Sequence, residues 1–572
     1  MLNRFKTRLV QMGPGGLIIR ILLIWFACSF LIYPNLNLLI SVFFKNGTFS
    51  TEVFGKLLSS PRAMKSLLNS FVLAVSLVIT VNLVGITLVL LTEYLKIRGA
   101  RVLKIGYMST LVYGGVVLAT GYKFLYGANG LLTKLLLLIF PSMNPNWFTG
   151  YPAVLFLMTF ACTSNHIIFL SNAIRGIDYQ TIEAAKNMGA SFGRIFFRVV
   201  LPVLKPTIFA VSILTFLTGL GAMSAPLIVG GKDFQTINPM IMTFAKSTYS
   251  REIAALLAVI LGMATILLLT VLNRVERGGN YISISKVKSK IARQKIHNPI
   301  ANILTHFLAY ALFVIYMAPI VLVILYSFTN SQTILSGNMS LDQLTLENYK
   351  TLFLKATAFK PYLISIIYAA AASVTVALIA VMVSRVLQKR KAMLETALEY
   401  SMLIPWLLPS TLIALGLMIT YDAPKWNIFN KVLIGTPYIL LLAYIIVKLP
   451  FSLRMIKAAF FGVESSLEEA AKSMGATSFY TMRRVILPVI QPAILSVVAL
   501  CFNSLLAEYD LTAFLYHPLL QPLGVVIKGA SDENADISSR VMMYVYSVVL
   551  MGISTLVLVL TQRQPAKGID KG

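Results

Sequence analysis

The sequence predicts an all-α polytopic membrane protein with about twelve transmembrane helices, arranged as two parallel repeats of six. Three observations support this fold class: the composition, a series of long apolar runs, and a polar segment that occurs twice. Of the 572 residues, 57% are hydrophobic and only 12% are charged, whereas soluble domains carry about 25% charged residues. A chain of this composition lacks the polar surface of a water-soluble protein, so we expect it to reside in a bilayer.

The apolar runs are long enough to be counted as spans. Crossing the hydrocarbon layer takes about 20 apolar residues. In the first half we expect spans near residues 17–44, 66–95, 102–126, 151–173, 201–222 and 252–273. In the second half we expect them near residues 302–328, 363–386, 396–421, 436–457, 487–508 and 541–561. The first run is too long for the apolar core of a signal peptide, which predicts a retained first helix.

Basic residues divide and orient the chain. Residues 274–300 are polar and basic, so we interpret them as a cytoplasmic linker between a first repeat, residues 1–273, and a second, residues 301–572. The net charge of +28 lies mostly between apolar runs. This distribution is typical of the positive-inside rule rather than of nucleic-acid binding. It predicts that both termini and the linker are cytoplasmic.

One polar segment recurs at an interval of 286 residues. "EAAKNMGASFGRIFFRVVLPVLKP" begins at Glu183, "EAAKSMGATSFYTMRRVILPVIQP" begins at Glu469, and 13 of their 24 positions are identical. An even number of spans in each half gives the halves the same orientation, which implies pseudo-two-fold symmetry about the membrane normal. Both copies are then expected on the cytoplasmic side, between the fourth and fifth spans of their halves.

Each copy predicts a helix, a tight turn and a second helix that leads into the membrane. Gly189 and Gly475 are expected to end the first helix, because glycine adopts the left-handed conformation at low cost. Pro202 and Pro488 suit the first turn of the fifth span. Small side chains before each turn would let another backbone approach closely: Ala184, Ala185, Ala470 and Ala471. Basic side chains after each turn are expected near the headgroups: Arg194, Arg198, Arg483 and Arg484.

Polar residues are expected to cap these helices. In the first copy, Asp178 can cap the helix that contains Glu183. In the second, Ser465 and Glu468 have the spacing of a capping box. Ser191 and Thr477 can cap the helix that follows each turn.

An amphipathic pair of interfacial helices would explain the arginines but not the recurrence of E-A-A-x-x-M-G-A. Two similar segments on a pseudo-symmetric scaffold instead indicate two similar sockets on a pair of partner subunits. Both copies resemble the EAA signature of permease subunits of binding-protein-dependent ABC importers. In that family the segment is a coupling helix seated in a cleft of each ATP-binding subunit. The residues that carry the resemblance are Glu183, Ala184, Ala185, Gly189, Glu469, Ala470, Ala471 and Gly475.

The two-in-one chain further resembles the fused permeases of the ferric-iron importer group. The resemblance implies two copies of a separate ATPase, an extracytoplasmic solute-binding protein and a bacterial cytoplasmic membrane. It implies ferric iron as the substrate, with phosphonates, phosphorylated compounds, thiamine and polyamines left open. The chain contains no G-x-x-x-x-G-K-[ST] phosphate loop. We therefore expect no enzymatic activity and no cofactor on this chain, with ATP and Mg²⁺ bound by the partner.

The rival interpretation is a secondary transporter of six plus six helices, which would need ionisable side chains within the membrane. The candidates for a substrate pathway are His166, Lys448 and Glu508. His166 could equally be packed between helices, and Glu508 could cap a re-entrant segment. "SAPLIVGG", from Ser224 to Gly231, could form an outer gate or a re-entrant turn, and it equally suits an ordinary loop. No residues form a convincing metal cluster.

Overall fold

The computed structural model describes residues 14–562, except for residues 46, 112–113, 176, 178, 279–292, 297, 333–340, 390–392 and 533. Helices dominate, because backbone polar groups within a bilayer have to pair inside their own segment. The helices of the first half are α1 (Pro14–Phe26), α2 (Tyr33–Phe43), α3 (Glu52–Leu58), α4 (Pro61–Val89), α5 (Ala100–Tyr107), α6 (Gly115–Tyr126), α7 (Leu131–Ile139), α8 (Gly150–Arg175), α9 (Tyr179–Asn187), α10 (Phe192–Ile195), α11 (Leu201–Leu220), α12 (Ser224–Val229), α13 (Ile237–Ala245) and α14 (Arg251–Gly278).

The second half repeats this order. Its helices are α15 (Pro299–Ser327), α16 (Glu347–Leu354), α17 (Ala356–Lys389), α18 (Met393–Leu403), α19 (Ser410–Tyr421), α20 (Pro437–Phe461), α21 (Ser465–Ser473), α22 (Ser478–Thr481), α23 (Leu487–Leu506), α24 (Thr512–Leu515), α25 (Leu523–Ala530) and α26 (Ile537–Gln562). Among the described residues, the only paired strands form a small antiparallel hairpin, β1 (Phe44–Lys45) with β2 (Thr48–Phe49).

Ten of the predicted spans are confirmed as continuous helical runs of sufficient length and apolar character. They are Leu17–Phe43, Pro61–Tyr94, Gly150–Arg175, Gly193–Leu220, Arg251–Arg274, Pro299–Ser327, Ala356–Gln388, Pro437–Phe461, Ser478–Leu506 and Ile537–Val557. The fold class is therefore that predicted from the sequence.

The third and ninth predicted spans, residues 102–126 and 396–421, each correspond to a bent pair of helices rather than to one continuous helix. In the first half the chain changes direction by 112° between Ala100–Leu111 and Gly115–Ile139. In the second half it changes direction by 108° between Met393–Trp406 and Ser410–Tyr421. Prolines 405 and 409 lie at this second bend, and proline both removes a helical hydrogen bond and clashes with the preceding turn. Hydropathy alone does not register such a bend.

The first helix of each half packs into the other half. Leu31, directly after α1, belongs to the same buried cluster as α17 and α20, and the indole Nε1 of Trp25 donates to the carbonyl of Asn427 at 3.0 Å. In return, the hydroxyl of Tyr107 donates to the carbonyl of Ala309 in α15 at 2.6 Å. The boundary predicted between residues 273 and 301 is thus crossed by the hydrophobic packing.

Part of the linker pairs with the first half. The amide of Lys96 donates to the carbonyl of Gln294 at 2.9 Å, and the amide of Gln294 donates to the carbonyl of Tyr94 at 2.8 Å. The Gln294 side chain is buried and its Oε1 accepts from Lys186 on α9. This stretch of the linker therefore braces the first of the two repeated segments.

Candidate coupling surface and translocation cavity

The first repeated segment ends in a left-handed glycine turn. The amide of Gly189 donates to the carbonyl of Lys186 at 2.8 Å, and the amide of Ala190 donates to the carbonyl of Ala185 at 3.0 Å. This pair of bonds defines a Schellman motif, which satisfies the last carbonyls of a helix. Gly189 has φ +76°, a conformation that disfavours any side chain.

The second segment has the same turn. Gly475 has φ +82°, its amide donates to the carbonyl of Lys472 at 2.9 Å, and the amide of Ala476 donates to that of Ala471 at 3.0 Å. A Cβ atom at either turn glycine would meet nothing within 4 Å. Backbone conformation therefore selects glycine here, and the space beside each turn is open.

The caps of these helices agree only partly with the sequence predictions. The hydroxyl of Thr477 accepts from the amide of Tyr480 at 3.3 Å, as predicted. The capping box is wrong: Ser465 is the first residue inside α21, Glu464 precedes the helix, and the Glu468 carboxylate turns away to an arginine. Asp178 lies outside the described residues.

One face of each segment is exposed and the other is packed. Glu183 and Ala184 are exposed, as are their counterparts Glu469 and Ala470. The second alanine of each pair is buried against the chain itself, namely Ala185 and Ala471. The four exposed residues can meet a partner, whereas the two buried alanines set how closely each helix sits on its own half. Arginines 194, 198, 483 and 484 are exposed beyond the turns.

The two halves anchor their segments with different chemistry. In α9 the anchor is Ile182, which is fully buried. The equivalent position in α21 is Glu468, whose two oxygens each accept from Arg385 of α17 at 2.8 Å. These hydrogen bonds from Arg385 lower the pKa of Glu468 to about 2, against the opposing effect of burial. Lys472 adds a second ion pair at 3.3 Å.

His166 is packed between helices rather than lining an open space. It is fully buried, its Nε2 lies 3.1 Å from Oδ1 of Asn82, and its ring lies against Gly85, where a Cβ would come within 2.6 Å. The Asn82 amide continues to the Ser212 hydroxyl at 2.8 Å. This geometry favours the packed interpretation over a role in the pathway.

Lys448 and Glu508 are the other two residues predicted to line a substrate pathway. Lys448 is half-buried on α20. Glu508 caps α24: its Oε1 accepts from the amide of Leu511 at 2.8 Å, and its Oε2 accepts from the amide and hydroxyl of Thr512 at 3.0 and 2.6 Å. Of the two predicted roles for Glu508, the structure shows the cap.

A neutral side chain at position 508 should test this cap. We expect Glu508→Gln to lower the thermal unfolding midpoint, because an amide nitrogen cannot accept the bonds that the carboxylate accepts. Hydrogen bonds to a charged group contribute about 1.5–3 kcal/mol. Thermal unfolding of the purified chain measures the effect, and Glu52→Gln, at an exposed i,i+4 pair, should change the midpoint little. Equal shifts for both variants would contradict the cap.

Asp510, two residues beyond Glu508, is not among the site residues predicted from the sequence. The hydroxyl of Ser224 donates to Oδ1 of Asp510 at 3.1 Å, and the two residues are 286 positions apart. They are thus equivalent positions of the two repeats, and equivalent positions can touch only near the axis that relates the halves. The signal was present in the sequence, since the same offset that aligns Glu183 with Glu469 also aligns Ser224 with Asp510. Ser224 begins α12, so "SAPLIVGG" opens with a short buried helix rather than an ordinary loop.

Beside Asp510 lies a cavity of about 380 Å³ between the halves. Its walls come from α8, α11, α13 and α14 of the first half and from the bend before α19 and the start of α19 in the second. Substrate sites of duplicated transporters lie at such repeat interfaces. His166, Lys448 and Glu508 are not among the residues that line it.

The comparison with known families agrees with these features. The family described as "Binding-protein-dependent transport system inner membrane component" matches residues 124–277 and again residues 374–566. The chain belongs to this family. The two matches cover both repeated segments, the cavity walls and Asp510, so this permease contains the family's domain twice.

Curated relatives extend the likeness over nearly the whole permease. It is 36% identical over 544 residues to a "Probable ABC transporter permease protein y4fN" of Sinorhizobium fredii, covering 95% of each chain. It is 24% identical over 511 residues to the "Ferric transport system permease protein FbpB" of Actinobacillus pleuropneumoniae, covering 88% of this chain and 71% of the relative. Over 170 residues it is 31% identical to a "Probable sulfate transport system permease protein cysT" of Chlorella vulgaris, covering 28% of this chain and 64% of the relative. The permease is therefore a multi-pass membrane component of an ABC importer.

Proposed function

We propose that this permease forms the translocation pathway of its importer and that two copies of a separate ATP-binding subunit dock on it, one at each repeated segment. The observation that carries the proposal is the pair of matched Schellman turns, each with an exposed glutamate and alanine on one face. Two equivalent surfaces on a pseudo-two-fold scaffold suit a symmetric pair of partners.

The packing of the segments suits the transmission of force. Ile182 in one half and the Glu468–Arg385 pair in the other tie each coupling helix to its own half. ATP-driven closure of the partners would draw the two helices together and tilt the halves, which changes access to the pathway from one side to the other. Such a stroke is a two-state rearrangement biased by nucleotide.

We also propose which side of the membrane each polar segment faces. Both coupling segments, both termini and the basic linker lie in the cytoplasm of a bacterium, and a solute-binding protein delivers the substrate from outside. The support is the excess of Lys and Arg in these segments, which retains loops on the cytoplasmic side.

Ferric iron is the substrate that we propose first, and a small anionic solute is the alternative. The relatives' names support both, since they include a ferric and a sulfate permease. Among the described residues, no group of three or more His, Cys, Asp and Glu side chains could hold a metal ion. The oxygen-rich ligands that ferric iron prefers are therefore expected on the external binding protein.

Removal of both exposed glutamates tests the docking. We expect Glu183→Ala with Glu469→Ala to weaken ATPase binding at least tenfold, because each change removes a charged contact from a small interface. The wild-type permease in nanodiscs should bind two ATPase subunits, as measured by mass photometry, and the double variant should bind fewer.

The matched control changes two glutamates outside the coupling segments, the exposed Glu52 and the half-buried Glu252. Glu52→Ala with Glu252→Ala should retain the full complex. If the wild-type permease never binds an ATPase and transports solute on an ion gradient alone, the proposal fails in favour of a secondary transporter.

A further inference from the structure

The cavity beside Asp510 is polar on one side and apolar on the other. Its apolar wall is built mainly from leucines of α11 and α14. Its polar side chains come from both halves: Asn165, Thr218, Asn238, Thr265, Ser410, Thr411 and Asp510. Largely apolar walls with a few convergent polar groups are typical of small-molecule sites.

Two of these polar side chains, those of Asn238 and Thr411, are hydrogen-bonded to each other. The Thr411 hydroxyl donates to Oδ1 of Asn238 at 2.9 Å, and the Asn238 amide donates to the carbonyl of Gly221 at 2.7 Å. They join the halves at the cavity wall and hold the bend before α19 in place. They are therefore positioning residues and offer little to a ligand.

The other five side chains present hydrogen-bond acceptors. Thr265 donates its hydroxyl hydrogen to the carbonyl of Leu261 at 2.8 Å and leaves its oxygen to accept. Thr218 donates its hydroxyl hydrogen to the carbonyl of Leu214 at 2.9 Å, so its oxygen is left to accept. Asp510 uses Oδ1 to accept from Ser224, and its Oδ2 has no hydrogen-bond donor among the residues that the structure describes. Asn165 and Ser410 add a carbonyl and a hydroxyl oxygen.

The lining of the cavity contains an acidic side chain and no basic one among the described residues. Asp510 is the only ionisable residue of its lining, and no lysine, arginine or histidine among the described residues lines it. An ionisable side chain held within a membrane protein is costly and commonly marks a substrate or ion pathway. Burial and the nearby Glu508 raise the pKa of the Asp510 carboxyl to about 7. Above that pH the ionised carboxylate attracts a cation and repels sulfate or phosphonate.

We propose that this cavity is a transport site for a cation, either a hard metal ion or an organic ammonium compound, held by Asp510 with neutral oxygens around it. The inference rests on the proposed importer function and narrows its substrate to the positively charged class. Carboxylate, hydroxyl and amide oxygens suit both kinds of cation.

The two halves of the chain differ at this site. The position equivalent to Asp510 in the first half is Ser224, which carries no charge. The corresponding first-half bend carries Gly114, where a Cβ would lie 2.9 Å from the carbonyl oxygen of Ala507. In the part of the chain that the structure describes, the Asp510 side of the axis therefore differs from the Ser224 side, and this cavity lies between unlike halves.

The test uses the permease–ATPase complex in nanodiscs of zwitterionic phosphatidylcholine, titrated by calorimetry with lanthanum(III), spermidine and sulfate. We expect one of the two cations to bind with one site per permease and sulfate not to bind. Asp510→Asn should weaken cation binding at least tenfold. The asparagine Oδ1 can still accept from Ser224, so this variant is expected to fold.

A second variant moves the carboxylate from position 510 to another position in the cavity lining. Asn165→Asp added to Asp510→Asn should restore at least part of the cation affinity, since it returns one carboxylate to the same cavity. The control is Asp532→Asn, which makes the same chemical change at an exposed ion pair with Lys528 and should bind cations like the wild type.

Three results would overturn the inference: binding of sulfate, cation binding that Asp510→Asn leaves unchanged, or no binding of either cation. Complex formation and ATP hydrolysis, measured on the same samples, report separately on the proposed function. A complex that hydrolyses ATP but binds neither cation refutes only the cation site.

Discussion

Replacement of Gly475 by valine is expected to uncouple the permease from its ATPase while the chain still inserts into the membrane. Gly475 has φ +82°, and a residue with a Cβ pays about 1–2 kcal/mol in this conformation, more when it is β-branched. Relief of this strain would unwind the Schellman turn and shift the exposed Glu469–Ala470 face. Because 1.4 kcal/mol corresponds to a factor of ten, ATPase binding and ATP-driven uptake should fall at least tenfold.

Two further variants separate backbone strain from bulk. Gly475→Asn should retain most of the coupling, because asparagine tolerates the left-handed region. Gly552→Val places the same side chain in open space on α26, where φ is not positive, and should leave uptake near the wild-type level. Uptake in proteoliposomes and membrane abundance are the measurements. Full uptake by Gly475→Val would refute the proposed role of the turn.

Reversal of charge at Arg385 is expected to release the second coupling helix from its half. Arg385→Glu would set a carboxylate against Glu468, where two hydrogen bonds of 2.8 Å now hold the pair. Loss of one partner from a buried ion pair costs about 3–5 kcal/mol. We expect somewhat less here, since the two side chains remain 13% and 17% exposed and Lys472 stays near Glu468. ATPase stimulation should be lost although the first coupling helix is unchanged.

The apolar anchor of the first half suggests a double variant that should restore coupling. Its equivalent anchor is the apolar Ile182, so Arg385→Met with Glu468→Ile should restore coupling, as apolar replacement of buried ion pairs is often neutral. If the apolar pair couples no better than Arg385→Glu, the ion pair does more than anchor the helix. ATP hydrolysis by the reconstituted complex, compared between the two variants, decides this.

The stabilisation that the Glu468–Arg385 ion pair contributes should change with pH in a predictable direction. A carboxyl group whose pKa is lowered by folding stabilises the folded state above its ordinary pKa and loses that contribution only as the pH falls through the lowered value. For Glu468 the lowered pKa is about 2. Acidification from pH 7 to pH 5 is therefore expected to leave the second anchor intact, as measured by ATPase binding.

The sequence by itself determined the features that depend on local chemistry. Spans such as residues 151–173 were predictable because lipid demands long apolar runs, and the turns at Gly189 and Gly475 because a left-handed residue favours glycine. The repeat interval of 286 residues even carried the alignment of Ser224 with Asp510. The sequence did not single out Asp510 beside Glu508, because both are acidic and only their neighbours distinguish a helix cap from a cavity wall.

Only the tertiary structure decided which side chains meet. The pairing of Arg385 with Glu468 joins residues 83 positions apart, and it overrode the local capping-box pattern because a bidentate ion pair is stronger than a single cap. The bend before Ser410 and the exchange of first helices between halves depend on packing that hydropathy does not encode. The acidic cavity exists for the same reason, since its walls belong to two halves that are brought together only by folding.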